Sequence, residues 1–536
     1  MSTNTFDYII VGAGSAGCVI AHNIVSRGRG TVLLLEAGGS DDSWPLRAPG
    51  AIPQAVAANS WPYAGEPEAP TGNREMPMPQ GRVLGGSSSI GAMLYVRGHP
   101  ADYDAWETEF GAAGWNGAEM LRYFKRAERN EALADAYHGT NGLLHVSENR
   151  HRHPLSEAFV RAGQQAGHPY ILDPNGASQE GVGFYQTTTH GGERASASRT
   201  YLAAVRDNPA LSLEMDTLVE RIEIVHGRAT GVTYRRGERR TARVRKQVIV
   251  TAGAIGSPRL LQLSGVGPGD VLARAGVRQK AELPVGRNFH DHLNVSVHAA
   301  TREAVSLHWR ETGLKMLCDE LVWTLRRSGQ LAQPAVDAFA FVDTAGQGRP
   351  DVQFHFMPLL DTWSDPWLLR DGWRHGITIK AGHLQPKSRG TVEIRSSDPT
   401  ELPRIRAGYL EHPDDVQGQV RAMRLALRFL DQPALREHVS GLIGPGLSAD
   451  DPEGLEAFVR RASRTSYHPV GTCPIGLDPA SSVVDPYLRV HGVAGLRVAD
   501  SSTFPRIPSG STNAPTIALA ERASDLICGL PNALAA

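Results

Sequence analysis

Short runs of apolar, mostly β-branched residues alternate with glycine-rich turns at the start of the chain. An apolar run at residues 7–11 leads directly into a turn with three glycines at residues 12–17. After a spacer of helix length, a second apolar run at residues 31–35 ends at Glu36. This order predicts a strand, a glycine turn, a helix and a second strand with a terminal acid, the unit that binds a dinucleotide. FAD, NAD and a purely structural adenine cofactor all satisfy the pattern.

The predicted chemistry of this unit depends on the glycines and on Glu36. Glycines permit a tight turn and a close approach of the backbone to a pyrophosphate, and the following helix directs its positive N-terminus at the phosphates. Glu36 follows Gly17 by 19 residues. At that spacing its carboxylate is expected to accept hydrogen bonds from the adenosine ribose hydroxyls and to repel a 2′-phosphate.

Three later segments have less regular patterns. Residues 38–82 are rich in Pro, Gly and Ala and predict an extended, irregular segment on the surface. Residues 81–93 carry paired glycines and three serines ahead of an apolar run. They predict either a second phosphate- or ring-binding loop that opens a helix, or a helix N-cap with a serine cluster. Residues 101–170 have helical patterning with aromatic residues and predict a cap or connector.

The pattern becomes β-rich at residues 211–250, with predicted turns at Gly227 and Gly237. Basic residues cluster on this hairpin at residues 235–240 and predict a solvated face, with an anionic membrane surface or an acidic partner as the alternative. The strand predicted at residues 247–251 is followed by small residues, which permit close approach to a second part of a large cofactor.

Composition limits the class of protein. The chain has 536 residues, 41% of them hydrophobic, which predicts a large globular protein with two or three structural units. A formal net charge of −1 gives no electrostatic argument for binding nucleic acid. No apolar run reaches the roughly 18 residues of a membrane span. The short polar lead before the first strand leaves no room for a secretory signal, so a cytoplasmic location is expected.

The residues that most often bind metals form no predicted site. The 4 cysteines are spread singly along the chain, without metal-binding spacing, and are expected to be reduced, isolated thiols. His290 and His292 have the alternate spacing of a ligand pair, but no third ligand is evident. These two histidines are therefore interpreted as part of a structural turn, and no metal is predicted.

Four segments together resemble the glucose-methanol-choline (GMC) oxidoreductases. They are the glycine turn and residues 81–93, 253–267 and 468–472, and the resemblance extends from about residue 6 to residue 528. Within the family, the chain is most similar to the bacterial alcohol and choline dehydrogenase branch. The resemblance implies an α/β fold, with a Rossmann-like FAD-binding domain and a discontinuous α+β substrate domain built on an antiparallel sheet.

The resemblance also implies where the domains and the family halves lie in the chain. The implied ranges are residues 1–155, 195–295 and 465–536 for the FAD-binding domain, residues 156–194 and 296–464 for the substrate-binding or cap domain, and about 6–295 and 385–525 for the N- and C-terminal family halves.

The implied reaction is the FAD-dependent oxidation of a primary alcohol to an aldehyde. It needs an acceptor for the hydride, the flavin N5, and a base for the hydroxyl proton. His468 is the implied base, in a loop fixed by Pro469 and Gly471, and an unperturbed imidazole of pKa ~6.5 is mostly neutral at neutral pH. Ser511 stands where the branch typically has Asn. Its hydroxyl is the candidate second catalytic group, but it is shorter than an amide, so it is expected to reach the substrate oxygen only through water or not at all.

The glycine turn and the resemblance together give the candidate cofactor-binding residues. The resemblance implies that Val219 lies at the adenine edge, that Asp500 approaches the ribityl chain or the pyrophosphate, and that Asn513 contacts the flavin or its loop. The full set is Gly12, Gly14, Ser15, Ala16, Gly17, Glu36, Ala37, Val83, Gly86, Ser88, Gly91, Ala92, Met93, Val219, Ala252, Asp500, Asn513 and Pro515.

Two departures from the family pattern concern the flavin. Ile90 stands where some relatives carry a histidine linked to the flavin, so FAD is expected to be non-covalent. Gly91 stands where the branch usually has Asn, which removes one side-chain hydrogen bond. On the second domain, His355 and Asp337 are possible pocket residues, with a structural role as the alternative for each.

The expected partners are a small alcohol as substrate and O₂ or a quinone as electron acceptor. Nucleic acid and a transmembrane segment are not expected, whereas peripheral membrane contact is left open by the basic hairpin. Two alternatives to alcohol oxidation remain at this point. The first is a carbon–carbon lyase of the same fold in which FAD does not turn over, and the second is a flavoprotein without catalysis.

Acid precipitation tests the expected non-covalent attachment of FAD. Isoleucine at position 90 cannot form a bond to the flavin, so acid is expected to release all of the yellow chromophore into the supernatant. Absorbance spectra of supernatant and redissolved pellet measure the distribution. Colour retained in the pellet would contradict the expectation.

Overall fold

The structure is a computed structural model, and it describes residues 4–307, 314–444 and 446–530. Residues 1–3, 308–313, 445 and 531–536 belong to the implied domain ranges but are not among the residues that the structure describes.

The described strands range from two to thirteen residues. In chain order they are β1 (Thr5–Val11), β2 (Val32–Leu35), β3 (Ser60–Trp61), β4 (Ala64–Glu68), β5 (Arg74–Pro77), β6 (Gln80–Gly81), β7 (Glu128–Asn130), β8 (Leu144–Glu148), β9 (Gly181–Phe184), β10 (Gln186–Thr187), β11 (Thr189–His190), β12 (Glu193–Arg194), β13 (Leu211–Glu214), β14 (Leu218–Val225), β15 (Arg228–Arg236), β16 (Glu238–Val250), β17 (Leu293–Thr301), β18 (Ala338–Val342), β19 (Val352–Met357), β20 (Gly376–His383), β21 (Thr391–Glu393), β22 (Arg404–Arg406), β23 (Val439–Ile443), β24 (Arg464–Thr465) and β25 (Leu496–Val498).

The described α-helices lie between these strands and after the last of them. In chain order they are α1 (Ser15–Ser26), α2 (Trp44–Arg47), α3 (Ile52–Ala58), α4 (Pro100–Phe110), α5 (Gly117–Ala127), α6 (Pro154–Gln165), α7 (Gly253–Leu263), α8 (Gly269–Arg274), α9 (Leu314–Arg326), α10 (Trp367–Arg370), α11 (Pro413–Leu430), α12 (Pro433–Arg436), α13 (Pro452–Ala462) and α14 (Asn513–Ile527).

The first sheet is built around the strand that precedes the glycine turn. β1 lies between β2 and β16 and runs parallel to both, with Ile10 opposite Leu34 and Ile249. β13 and β25 extend the parallel part, and β15 and β14 continue it as an antiparallel hairpin. Because parallel neighbours end on the same side, the carboxyl ends of β1, β2 and β16 lie along one edge of the sheet.

The second sheet is antiparallel throughout. β17 pairs with β20, β23 and β24, and β19, β18 and β9 follow beyond β20. α6, α11 and α13 share a buried core with these strands, in which Phe159 stacks on Phe356 and Phe354 meets Phe429 edge to face. The predicted fold class, a Rossmann-like α/β unit with an antiparallel-sheet second unit, is confirmed. The implied boundaries at residues 295 and 465 fall inside β17 and β24.

Two local predictions were wrong in part. Residues 38–82 are not irregular throughout, since they contain α2, α3 and the short strands β3 to β6. Residues 81–93 do not open a helix and form only a 3₁₀ turn at Gly86–Ser89. The hydroxyl of Ser89 donates to the carbonyl of Leu84 at 2.7 Å, and Met93 has φ +62°. Hydroxyls that bond to the backbone compete with a helix, and a left-handed residue ends it.

The predicted hairpin turns are confirmed. Gly227 connects β14 to β15 and Gly237 connects β15 to β16, and these two glycines have positive φ angles of +72° and +68°.

The basic cluster on the hairpin is partly paired, since Arg235 and Arg239 both contact the carboxylate of Glu220, at 2.9 and 2.7 Å. Among the described residues, no helix combines the length and the apolar character that crossing a membrane requires.

Substitution of Gly17 by alanine tests the packing of the glycine turn. A Cβ at Gly17 would lie 1.9 Å from the carbonyl oxygen of Gly12, so the turn or α1 must move. We expect the free energy of unfolding to fall by about 1–3 kcal/mol, the usual cost of overpacking, as measured by denaturant titration. Gly441→Ala is the matched control, because nothing lies within 4 Å of its added Cβ. Equal stability of the two variants would contradict the prediction.

Candidate functional site

An elongated cavity begins at the shared edge of the first sheet and extends to the second sheet. At the first sheet its wall includes Val11, Leu35 and Thr251, at the carboxyl ends of three neighbouring strands. At the second sheet its wall includes His355 and Lys380. The cavity therefore connects the predicted cofactor-binding turn with the sheet predicted to bind substrate.

Backbone atoms form much of the wall at the glycine turn. Gly12 has φ +102°, and a Cβ there would lie 2.5 Å from the carbonyl oxygen of Thr251. A Cβ at Gly86 would lie 2.7 Å from the Cα of Gly14. The two predicted glycine loops thus contact each other through their backbones, and only glycine permits this approach.

The N-terminus of α1 faces this part of the cavity. Its N-cap residue, Gly14, supplies no side-chain hydrogen bond, and Ser15 and Ala16 in the first turn line the cavity. The first N–H groups of a helix lack partners within the helix, so a phosphate is a suitable acceptor for them. The arrangement fits the pyrophosphate of a dinucleotide.

Glu36 joins the glycine turn to the end of β2. Its two carboxylate oxygens accept the backbone N–H groups of Ala13 at 2.9 Å and Gly38 at 2.8 Å. Burial raises the pKa of Glu36 to about 7, and the two backbone hydrogen bonds oppose that shift. Glu36 also lines the cavity, where a ribose would find a hydrogen-bond acceptor.

Most of the residues predicted from sequence line this cavity. They are Gly12, Gly14, Ser15, Ala16, Glu36, Ala37, Gly86, Ser88, Gly91, Ala92, Met93, Val219, Ala252, His468, Asp500, Ser511 and Asn513. Three others do not contribute to its wall. Gly17 faces the carbonyl of Gly12, Val83 packs into a small core with Ile90, and Pro515 is buried in the first turn of α14.

Two of the lining residues also hold other elements in place. One carboxylate oxygen of Asp500 accepts the N–H of Gly253 at 2.9 Å and the hydroxyl of Ser257 at 2.6 Å, which ties the end of β25 to the start of α7. Asn513 accepts the hydroxyl of Ser15 at 2.7 Å and so joins α14 to the glycine turn. Both residues fix the shape of the cavity wall at the first sheet.

Asp291 fixes the loop that carries His468. Its Oδ1 accepts the backbone N–H of His468 at 2.8 Å, and its Oδ2 accepts the hydroxyl of Tyr409 at 2.6 Å and that of Thr465. Burial raises the pKa of Asp291 to about 6, while these hydrogen bonds lower it. Tyr467, next to the histidine, has φ +63°, a strained conformation for a bulky residue. The loop is therefore held in one arrangement against the start of β17.

A second histidine fixes the tautomer of His468. His292 Nε2 lies 2.9 Å from the carbonyl oxygen of Leu384, which can only accept, so Nε2 of His292 carries the proton. His292 Nδ1 is then an acceptor, and it lies 3.2 Å from Nδ1 of His468. His468 must donate from Nδ1, which leaves its Nε2 lone pair free to accept a proton.

Both imidazoles are neutral at neutral pH. Burial lowers the pKa of His468 to about 3, and the charge of a protonated His355 would act in the same direction. Burial also lowers the pKa of His292 to about 3. A neutral, buried imidazole with a free Nε2 has the protonation state that a general base requires.

The candidate second polar groups lie in different places. Ser511 lines the cavity and is 8% exposed. His355 also lines it and contacts the hydroxyl of Tyr185 through Nδ1 at 2.9 Å. Asp337, the other possible pocket residue, is not in the wall, because it accepts the hydroxyl of Ser156 at 2.6 Å within the protein interior.

Sequence reasoning missed several residues of the cavity wall, among them Asn294, Asp361, Trp363, Lys380 and Tyr467. It also interpreted His290 and His292 only as a structural turn. His290 fits that interpretation, with Nδ1 near the carbonyl of Asn288 at 2.7 Å and Nε2 accepting from Ile507 at 2.9 Å. For Lys380 a signal was present, since it is the only lysine or arginine in the apolar strand β20.

Comparison with known proteins agrees with this geometry. Residues 6–294 match the N-terminal family model described as GMC oxidoreductase, and residues 386–520 match the C-terminal model of that description. The oxygen-dependent choline dehydrogenase of Rhizobium johnstonii is 39% identical over 98% of this chain and 95% of its own length. The mitochondrial choline dehydrogenase of Mus musculus is 38% identical over 98% of this chain and 90% of its own length.

Solved structures share the fold along the whole chain. Pyridoxine 4-oxidase from Mesorbium loti has a TM-score of 0.88 and 28% identity, covering 97% of this chain and 98% of its own. Formate oxidase has a TM-score of 0.92 at 23% identity, covering 98% of each chain, and shows the likeness of fold alone. Because both family models match and the choline dehydrogenases are similar along nearly the whole chain, the chain belongs to the GMC oxidoreductases, FAD-dependent enzymes that act on CH–OH groups.

Proposed function

We propose that this protein oxidises a primary alcohol to an aldehyde, with His468 as the base for the hydroxyl proton. The observation that supports this most directly is the hydrogen-bonded sequence from Leu384 through His292 to His468. It leaves the Nε2 of His468 unprotonated in a buried cavity. An imidazole in this state can accept the proton of an alcohol bound beside it.

FAD would be held by the wall at the first sheet. The uncapped N-terminus of α1 and the adjacent glycine turns would bind the pyrophosphate, and Glu36 the ribose. Bound FAD supplies the acceptor for the hydride of the alcohol carbon. Ile90, which is buried in this wall, offers no atom for a covalent link, so we propose non-covalent binding.

The roles of the remaining wall residues follow from their chemistry. Ser511 can donate a hydrogen bond to the alcohol oxygen or hold a water that does so. Asp291 acts through the backbone of His468 and is a positioning residue.

We propose O₂ as the electron acceptor, because the relatives from Rhizobium johnstonii and Vibrio vulnificus, 39% and 41% identical, are named oxygen-dependent.

Replacement of His468 tests the proposed base. We expect His468→Ala to lower the rate of anaerobic flavin reduction by an alcohol at least ~100-fold, the contribution typical of a general base. Stopped-flow absorbance of the bound flavin measures this rate for a panel of primary alcohols. His438→Ala is the control, because His438 is 36% exposed and lies outside the cavity wall.

Reduction of the flavin in His468→Ala at the wild-type rate would contradict the assignment of the base. An absence of bleaching in the wild-type protein with every alcohol would contradict alcohol oxidation itself. Reoxidation of the reduced flavin by air, compared with a quinone dye, tests the proposed acceptor.

Two variants of His292 test whether this residue sets the tautomer of His468. His292→Leu removes both the donor to Leu384 and the acceptor for His468, so we expect flavin reduction to slow at least ~10-fold, within the range for general-base catalysis. His292→Gln retains an amide and is expected to recover part of the rate. The rate of reduction is compared across pH, with FAD content as a check on folding. Equal rates in the two variants would mean that His292 only fills space.

A further inference from the structure

A buried ion pair lies in the cavity wall at the second sheet. Lys380 Nζ is 2.5 Å from a carboxylate oxygen of Asp361, and the two side chains are 16% and 2% exposed. Lys380 stands directly opposite His355 in the pairing of β20 with β19, and all three residues line the cavity. The pair therefore lines the same cavity as the proposed base, His468.

The carboxylate of this pair is buried, with its Oδ2 in ion-pair contact with Lys380 and its Oδ1 hydrogen-bonded to the backbone. Asp361 accepts the backbone N–H of Ser364 at 3.1 Å in addition to its contact with Lys380. Burial would raise the pKa of Asp361, but the ammonium group of Lys380 outweighs that effect and lowers it. Burial would lower the pKa of Lys380, but the charge of Asp361 raises it. Both groups are charged, and the pair as a whole is neutral.

The ammonium group has one donor left. Lys380 donates to the hydroxyl of Ser364 at 3.1 Å and forms an ion pair with Asp361. An ammonium group has three N–H donors, and the hydrogen bonds of the described residues give Lys380 no third protein acceptor. The remaining N–H is available to an acceptor atom in the cavity.

Asp361 is the only carboxylate that lines this end of the cavity in the part of the chain that the structure describes. Asn294 donates to the hydroxyl of Ser466 at 2.8 Å, and both are uncharged. His355 and His468 are neutral, because burial lowers the pKa of each to about 3. Of the described carboxylates that line the cavity besides Asp361, Glu36 and Asp500 belong to the wall at the first sheet.

Two aromatic rings also contribute to this wall. Trp363 and Tyr467 lie with ring centroids 5.8 Å apart, and both line the cavity. Aromatic faces attract cations, so the rings alone would accept a quaternary ammonium group. A permanent cation would nevertheless lose its hydration beside the ammonium group of Lys380, without an accessible carboxylate to replace the water, because Asp361 is 2% exposed. An uncharged alcohol avoids this cost and gains the same apolar contacts.

We propose that the Lys380–Asp361 pair determines substrate specificity, by selecting an uncharged alcohol that bears a hydrogen-bond acceptor and by excluding quaternary ammonium alcohols such as choline. The inference rests on the proposed alcohol oxidation. It separates this chain from the substrate named in its relatives at 39% identity.

A pair of substrates of equal shape tests the proposal in the wild-type holoenzyme. Choline is compared with its uncharged isostere, in which a tert-butyl group replaces the trimethylammonium group. We expect kcat/KM for the isostere to exceed that for choline at least ~10-fold, since burial of an uncompensated charge is strongly unfavourable. A value for choline equal to or above that of the isostere would overturn the proposal.

Two variants test whether the ion pair is the cause. Lys380→Met leaves Asp361 without its cation, so the ratio of kcat/KM for choline to that for the isostere is expected to rise at least ~10-fold. The double variant Lys380→Met/Asp361→Asn removes both charges, and its ratio is expected to stay within a few-fold of the wild-type value. A ratio unchanged in Lys380→Met, or raised equally in the double variant, would overturn the assigned role.

The flavin spectrum and thermal melting of each variant show whether it is folded. If Lys380→Met does not fold, the wild-type ratio still decides whether choline is excluded. Failure of both alcohols and of a wider alcohol panel to reduce the flavin contradicts the proposed oxidation. Preferential reduction by choline contradicts only the specificity.

Discussion

The close backbone approach at the glycine turn is the constraint on which the cavity depends. Gly12 lies against the carbonyl of Thr251, and Gly86 against Gly14, at distances that leave no room for a Cβ. These contacts bring together the end of β1, the end of β16 and the loop after β6. The N-terminus of α1 is exposed to the cavity as a result, and a long cofactor can lie across the edge of the sheet.

The sequence predicts the parts of the fold that depend on local pattern. The strand before Gly12 and the hairpin turns at Gly227 and Gly237 follow from short runs of apolar residues and from glycine, and the structure has them at those positions. The helix expected after residues 81–93 is absent, because the hydroxyl of Ser89 bonds to the backbone within the loop. Competition of this kind is decided by geometry that a pattern of residue types does not contain.

The residues of the site likewise fall into those that a local pattern predicts and those that depend on tertiary packing. His468 and Glu36 are identified by motifs, since each lies within a short segment of recognisable composition. His292 is 176 residues from His468 in sequence, and its contact with that residue depends on how β17 meets the C-terminal loop. The Lys380–Asp361 pair likewise depends on the packing of the second sheet. Likeness along the whole chain therefore transfers the cofactor and the reaction more readily than the substrate.

The hydrogen bonds of Asp291 connect two properties that are usually considered separately. The residue stands just before β17, which contributes Asn294 to the substrate end of the cavity, and it also holds the backbone of His468. A change on β17 that reshapes the cavity for another alcohol would therefore also displace the base. Substrate range and catalytic rate are therefore coupled through β17 and also through Leu384, directly after β20, so new specificity is most readily acquired on β19, which makes neither connection.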